Sequence, residues 1–290
     1  MTLAMSETGV AGETYSMSCM EIWGGNRAID SGVSSPGIDA WVVSRPHDGA
    51  ESGGDIHYVS MCAAGKIARF AVADVAGHGG AVSDLAVTLR NLMRKSINTV
   101  DQSRFACALN EAFLEQSRLG VFATAILATY FAPSDHLILC NAGHPPPIVF
   151  RAESGAWSVV EPEAESSRET GIRGLPLGVI EPTEYVQQAI ALSAGDIVVI
   201  YTDSMMEQRD RTGAMLGAEG LARMCEGIDA ARPECLAHEL IGRVRAYGGG
   251  REPDDDLTVM VLHHNGSDPP RMSVGERLTT YARLLGLSKV

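Results

Sequence analysis

The stretch of residues 121–150 constrains the fold most. It contains three runs rich in β-branched and aromatic residues, VFATAILATYF, HLILC and IVF, separated by Pro-Ser-Asp and His-Pro-Pro-Pro. Short apolar runs bounded by such turn residues are typical of antiparallel strands. The sequence therefore predicts antiparallel sheet in the middle of the chain.

Helical segments occur in blocks of their own. Apolar residues recur at helical spacing over residues 82–93, 105–113 and 236–244. Further strand-like runs lie at residues 197–201 and 257–262. Separate blocks of strands and helices favour layered α+β structure over the regular alternation of a Rossmann fold.

The length of 290 residues fits one large domain with short extensions. We expect a lead-in at residues 1–35, rich in Gly, Ser, Thr and Met and partly ordered by packing, then a domain at residues 36–264. In the tail, residues 265–290, Ser273 to Glu276 has capping-box spacing and predicts a short helix at 273–287. Both ends are candidates for docking or for self-association into a homodimer.

Charge and cysteine usage exclude several classes of protein. The formal net charge is −13 with no basic block, which speaks against nucleic-acid binding and anionic membranes. No apolar run reaches the length of a membrane span. The six cysteines are scattered without a CxxC pair or signal peptide, which indicates reduced thiols and a cytoplasmic protein.

Four aspartates, Asp55, Asp74, Asp203 and Asp255, stand at strand ends or glycine-rich turns. A single aspartate of this kind is usually a turn or cap residue. Clustered carboxylates, however, repel one another unless cations neutralise them. Oxygen ligands suit magnesium or manganese, and two such ions can ionise a bridging water for attack on a phosphoryl group.

The order of the motifs is more specific than any one of them. GGD, DVxGHG, NAGHP, GLPLG, YTD with Glu207 four residues on, and DDxT follow one another along the chain. This series resembles the SpoIIE branch of the PPM, or protein phosphatase 2C-like, family of bacterial serine/threonine phosphatases over residues 36–264. The resemblance implies a four-layer α-β-β-α sandwich with two central antiparallel sheets and a dimetal site at one edge.

The resemblance also implies roles for individual residues. Asp74 would bridge two divalent cations, manganese or magnesium. Asp55 would bind one cation directly or through water, Asp203 and Asp255 would hold the other, and Val75 would contribute its backbone carbonyl.

His78 has two interpretations, a general acid for the leaving serine oxygen or a histidine that orders the glycine turn. Two features depart from the family pattern. GGD continues into Ile56 and His57 instead of an aromatic pair with a second acid. The arginine that grips phosphate in animal relatives has no counterpart, so phosphate affinity would rest on the metals.

The resemblance thus implies a phosphoprotein phosphatase in signal transduction, acting by partner switching on a phosphorylated STAS-domain anti-sigma factor antagonist. An alternative is a pseudophosphatase that regulates a partner by binding alone, since fold does not fix function. A nucleotide cyclase is suggested by Gly53-Gly54-Asp55, but Ile56 and His57 do not match the acid and Phe that follow in such cyclases.

Overall fold

A computed structural model describes residues 20–62, 66–77, 80–116, 120–161 and 173–267. Twelve strands form two six-stranded sheets in this part of the chain. The strands are β1 Met20–Gly25, β2 Ile29–Ser35, β3 Ile38–Arg45, β4 Asp55–Cys62, β5 Ile67–Val75, β6 Ala123–Phe131, β7 His136–Ala142, β8 Ile148–Arg151, β9 Ala156–Val159, β10 Gln187–Ala191, β11 Ile197–Tyr201 and β12 Leu257–His264. The helices are α1 Gly80–Ser96, α2 Gln102–Gln116, α3 Ser204–Glu207, α4 Gly217–Cys225 and α5 Pro233–Tyr247.

All strand pairs within the two sheets are antiparallel. The first sheet has the order β1-β4-β5-β6-β7-β10, and the second has the order β2-β3-β12-β11-β8-β9. The strands that end next to the four candidate aspartates, β4, β5, β11 and β12, lie in the interior of their sheets. The end of β5 is paired on both sides, since Asp74 lies between Asp55 of β4 and Thr124 of β6.

Three buried clusters separate four layers. Side chains from both sheets, such as Val72 and Met260, fill the space between the sheets. A second cluster lies between the first sheet and helices α1 and α2, and a third lies between the second sheet and helices α4 and α5. The predicted α+β sandwich with two central antiparallel sheets is confirmed.

Burial on both sheet faces explains the sequence pattern. Every residue of β5 except Asp74 is buried, so the strand reads as a continuous apolar run instead of an alternating one. On α1, the predicted stripe is confirmed, because Ala86, Leu89 and Met93 are fully buried against the first sheet.

The sheets begin earlier in the chain than residue 36. Strands β1 and β2 lie within the predicted lead-in and form one outer strand of each sheet. In β2 partly buried and exposed residues alternate, and its sequence is IDSGVSS. Such an edge strand buries little, so its apolar pattern is weak. Residues 1–19, and the predicted tail helix at 273–287, lie outside the described residues.

No helix in the described ranges is long and apolar enough to cross a membrane.

Candidate metal centre

Asp55 and Asp74 are brought together by strand pairing. Asp55 is the first residue of β4, and its partner across the antiparallel ladder is Asp74 of β5. Directly opposite residues of an antiparallel pair project from the same face of a sheet. Two carboxylates thus lie side by side at one end of the first sheet, with Asp55 buried and Asp74 half-buried.

The second sheet contributes Asp203 and Asp255 at one end. Tyr201 is the last residue of β11 and pairs with Val259 near the start of β12. Asp203 therefore follows one strand where Asp255 precedes its antiparallel neighbour. Asp203 also begins α3, since its carbonyl accepts the backbone N–H of Glu207 at 2.8 Å.

Thr202 joins the two sheets at this end. Its hydroxyl donates to Asp55 Oδ2 at 2.8 Å and accepts the backbone N–H of Thr258 at 2.9 Å. The Thr202 backbone N–H in turn donates to the carbonyl of Thr258 at 3.0 Å. This network fixes Oδ2 of Asp55 from the side of the second sheet.

The two glycines before Asp55 make room for Asp256. Its Oδ2 accepts the backbone N–H of Gly54 at 2.5 Å, and its Oδ1 accepts that of His47 at 2.6 Å. A Cβ on Gly53 would lie 2.2 Å from Asp256 Oδ2. Asp256 thus joins the GGD turn to His47, with one oxygen on each, while neighbouring Asp255 is exposed.

Gly54 has a second neighbour of interest. A Cβ there would lie 2.9 Å from the carbonyl oxygen of Val75, so only glycine lets this oxygen approach the turn. The structure thus places the predicted Val75 carbonyl beside the two paired aspartates.

The pKa values of the acids at this edge indicate that their charges repel one another. Burial, together with the charges of Asp203, Asp255, Asp256 and Glu207, raises the pKa of Asp74 to about 7. The pKa values of Asp55 and Asp203 are also raised.

Burial, followed by the charge of Asp74, raises the pKa of Asp55 well above its ordinary value, although the threonine hydrogen bonds oppose this. Burial also raises the pKa of Asp203, with contributions from Glu207 and Asp255. Carboxylates from four separate segments therefore lie within electrostatic reach of one another.

The donor set fits hard divalent cations, because it consists of carboxylate and carbonyl oxygens. Within the described ranges, however, no three Asp, Glu, His or Cys side chains are already arranged closely enough to hold a metal ion. The arrangement is a crowded acidic edge that divalent cations would neutralise, and the assignment of individual ligands stays a prediction.

The histidines of the motifs differ in what can be said of them. His78 lies outside the described residues, so its two interpretations stay open. His144 is buried, and its Nδ1 lies 2.8 Å from the Thr124 hydroxyl. Its backbone N–H and carbonyl both bond the side chain of Asn141, at 2.7 and 2.9 Å. His144 therefore stabilises the NAGHP loop.

Three features of this edge were not identified from the sequence. They are the bridging hydroxyl of Thr202, the anchoring role of Asp256 and the charge of Glu207 on the cluster. Thr202 lies within the YTD motif, Glu207 follows it by four residues, and Asp256 lies within DDxT. The motifs therefore contained these residues, although they did not indicate their roles. Their roles depend on contacts between segments that are distant in the chain.

Comparisons with known proteins agree with this geometry. The family model of Stage II sporulation protein E (SpoIIE) matches residues 65–265. Protein IcfG of Synechocystis sp. is 19% identical over 264 residues, which is 80% of this chain and 39% of that protein. The chain thus spans well under half the length of this relative.

Solved structures share the fold. The RsbU and RsbW domains of Rv1364c from Mycobacterium tuberculosis give a TM-score of 0.66 at 22% identity, covering 90% of this chain and 70% of that one. The PP2C phosphatase domain of SpoIIE from Bacillus subtilis, with a regulatory fragment, gives 0.64 at 18% identity, covering 80% and 64%. RsbX in complex with magnesium gives 0.58 at 18% identity, covering 81% and 99%.

The family model covers more than half of the chain, and the solved relatives have the same two-sheet sandwich. This protein belongs to the SpoIIE family.

Proposed function

We propose that this chain is a metal-dependent phosphatase that hydrolyses phosphoserine or phosphothreonine on a regulatory protein in the cytoplasm. The observation that carries the proposal is the convergence of carboxylates at one edge of the sandwich, where burial and mutual repulsion raise the pKa of Asp74 to about 7. Such perturbed acids are typical of functional sites. The SpoIIE relative from Bacillus subtilis is a PP2C phosphatase domain, which supports the same activity.

Asp55, Asp74, Asp203 and Asp255, with the backbone carbonyl of Val75, would hold two divalent cations, magnesium or manganese. Magnesium is present in the structure of the relative RsbX. When bound, such cations supply an ionised water and offset the negative charge of a phosphoryl group.

The chain's own residues prepare this site. The Thr202 hydroxyl orients Asp55, and Asp256 holds the Gly53-Gly54 turn beside it. The half-buried carboxylate of Asp74 faces the acids of the second sheet, and repulsion among them favours any cation that enters. His78 is the candidate proton donor to the leaving oxygen of serine.

The substrate we propose is a phosphorylated STAS-domain anti-sigma factor antagonist. Membership of the SpoIIE family supports this proposal, as does a solved relative that contains RsbU and RsbW domains in a single chain. The role would be signal transduction by removal of one phosphate from the antagonist.

The test is manganese-dependent release of phosphate from a phosphoserine peptide by the wild type and by Asp74→Asn. We expect the substitution to lower kcat/KM by about 100- to 1000-fold, because it removes a charge from the centre of the cluster. Asp30→Asn is the matched control, since Asp30 is an exposed residue of β2. Equal activity of the wild type and Asp74→Asn would refute the role of Asp74.

The alternative, a binding module without catalysis, predicts a different outcome. In that case the wild type would release no phosphate with either metal, yet it would still bind the STAS-domain protein.

A further inference from the structure

A cleft of about 520 Å³ lies between two loops on the side of the second sheet. One wall is the turn of residues 209–213, which follows α3, and the other is formed by Gly248, Gly249 and Arg251 at the end of α5. Three of its lining residues, Arg209, Arg211 and Arg251, are exposed arginines. The cleft is therefore basic, although the whole protein has a formal net charge of −13.

The three arginines are not neutralised by carboxylates. The arginine ion pairs of the described residues all involve other arginines. Arg209 Nη1 donates to the Gly213 carbonyl at 3.0 Å, and Arg251 donates to the carbonyls of Gly248 and Arg209 at 3.0 and 3.1 Å. These two arginines thus stabilise the walls of the cleft by hydrogen bonds to carbonyl oxygens, without an ion pair to a described carboxylate.

Arg211 has a different role from the other two. A Cβ on Gly249 would lie 3.2 Å from Arg211 Nε, so the guanidinium lies against that glycine. No hydrogen bond or ion pair holds its side chain to any other described residue. Its N–H groups are therefore available to a ligand.

The acids near the cleft are already engaged. Asp210 Oδ1 accepts the Thr212 N–H at 2.8 Å, the Thr212 hydroxyl at 2.7 Å and the Ala214 N–H at 2.9 Å. Glu252 is paired with Arg245 at 2.9 Å. The lining of the cleft therefore contains three arginines and one carboxylate, that of Asp210, which stabilises the turn of residues 209–213.

The cleft adjoins the acidic edge of the candidate metal centre. Gln208, which follows Glu207, donates to the Arg251 carbonyl at 3.1 Å and ties the two walls together. Arg251 precedes Asp255 by four residues, so their Cα atoms are at most about 14 Å apart. Arg209 is separated from Asp203 by the single turn of α3, which limits that distance to about 13 Å.

We propose that this arginine cleft binds an acidic segment of the phosphoprotein substrate beside the phosphorylated residue. The inference rests on the proposed phosphatase function. A strongly acidic metal edge repels an acidic peptide, whereas arginine forks bind carboxylates in pairs of hydrogen bonds. An extended chain covers 14 Å in about four residues, so the acidic residues would lie within about four positions of the phosphoserine.

The kinetic test compares two phosphoserine peptides that differ only in three Glu or three Gln at the second to fourth positions from the phosphoserine. We expect Arg211→Glu to lower the ratio of their kcat/KM values, acidic over neutral, by about tenfold, mainly through KM. Arg211→Lys should keep most of the ratio. Arg104→Glu, an equal charge change at the exposed start of α2, should leave it unchanged. An unchanged ratio in Arg211→Glu, or an equal fall in Arg104→Glu, would overturn the proposal.

A binding measurement separates failure of the cleft from failure of the phosphatase. The fluorescently labelled acidic peptide without phosphate should bind the wild type about tenfold more tightly than Arg211→Glu in anisotropy titrations, whether or not any hydrolysis occurs. Absence of hydrolysis with retained binding would reject the phosphatase and keep the cleft. Equal binding to both proteins, or displacement by inorganic phosphate at the concentration of the peptide, would reject the acidic-peptide site.

Discussion

The two ends of strand β11 hold aspartates in opposite surroundings. Asp196, just before the strand, accepts the backbone N–H groups of Ala152 at 2.9 Å and Ser193 at 3.1 Å, and it pairs with Arg151 at 2.8 Å. Asp203, just after the strand, faces Glu207 and Asp255 instead.

The pKa values follow this difference. Burial alone would raise the pKa of Asp196, but the two backbone amides and the Arg151 guanidinium outweigh it and lower the pKa. At the other end, burial and neighbouring acids raise the pKa of Asp203. The strand-end aspartate with partners stabilises the fold, whereas we propose that the strand-end aspartate crowded by other acids binds a cation.

The largest expected effect is a difference in phosphatase activity between substitutions at the two ends of β11. Asp203→Asn should lower manganese-dependent kcat/KM on a phosphoserine peptide by about 100- to 1000-fold, because it removes a proposed ligand. Asp196→Asn, the same substitution at the other end of β11, should change kcat/KM less than about threefold when the protein is folded. Similar losses in both variants would show that the two ends do not differ in function.

A smaller effect is expected at the hydroxyl that orients Asp55. Thr202→Val keeps the shape of the side chain but removes the hydrogen bond to Asp55, and it should weaken manganese binding by about 10- to 100-fold. Titration calorimetry measures this loss.

The matched control is Thr129→Val. The Thr129 hydroxyl is buried in β6 and has no hydrogen-bond partner among the described residues. Manganese affinity should therefore be the same in this control as in the wild type. If Thr202→Val bound manganese as tightly as the wild type, Thr202 would have no role in positioning Asp55.

A third prediction concerns the stability that Asp196 contributes at the start of β11. Asp196→Asn should lower the free energy of unfolding at pH 7 by about 1–2 kcal/mol, measured by urea denaturation, because two N–H donors lose a charged acceptor. The pKa of Asp196 is lower in the folded state than in the unfolded chain. Its stabilisation is thus fully present above the unfolded pKa of about 4 and disappears as the pH falls through the folded pKa. A stability difference that grew on acidification would contradict this assignment.

The sequence predicted those strands and helices well that have one clear apolar pattern. Strand β11 lies at the predicted residues 197–201, and α1 buries the predicted stripe. Strands β1 and β2 were not predicted, because edge strands rich in Gly and Ser bury too little to give a clear period. Strand β4 was also not predicted, because the buried polar residues His57 and Ser60 interrupt its apolar run.

The candidate site was predicted as a set of residues but not as a geometry. Motif order identified Asp55, Asp74, Asp203 and Asp255, yet their proximity depends on strand register and on the Thr202 bridge between sheets. The arginine cleft could not be predicted at all. Its walls, at residues 209–213 and 248–251, are separated in the chain by α4 and α5, which pack against each other, and the Gln208–Arg251 hydrogen bond joins them.

The most direct test of the central claim is calorimetric titration of the metal-free protein with manganese. If the crowded acids form a cation site, the wild type binds manganese, and Asp74→Asn binds it at least about tenfold more weakly, while Asp196→Asn matches the wild type. A wild type that takes up no manganese, or an Asp74→Asn variant with unchanged affinity, would contradict the account.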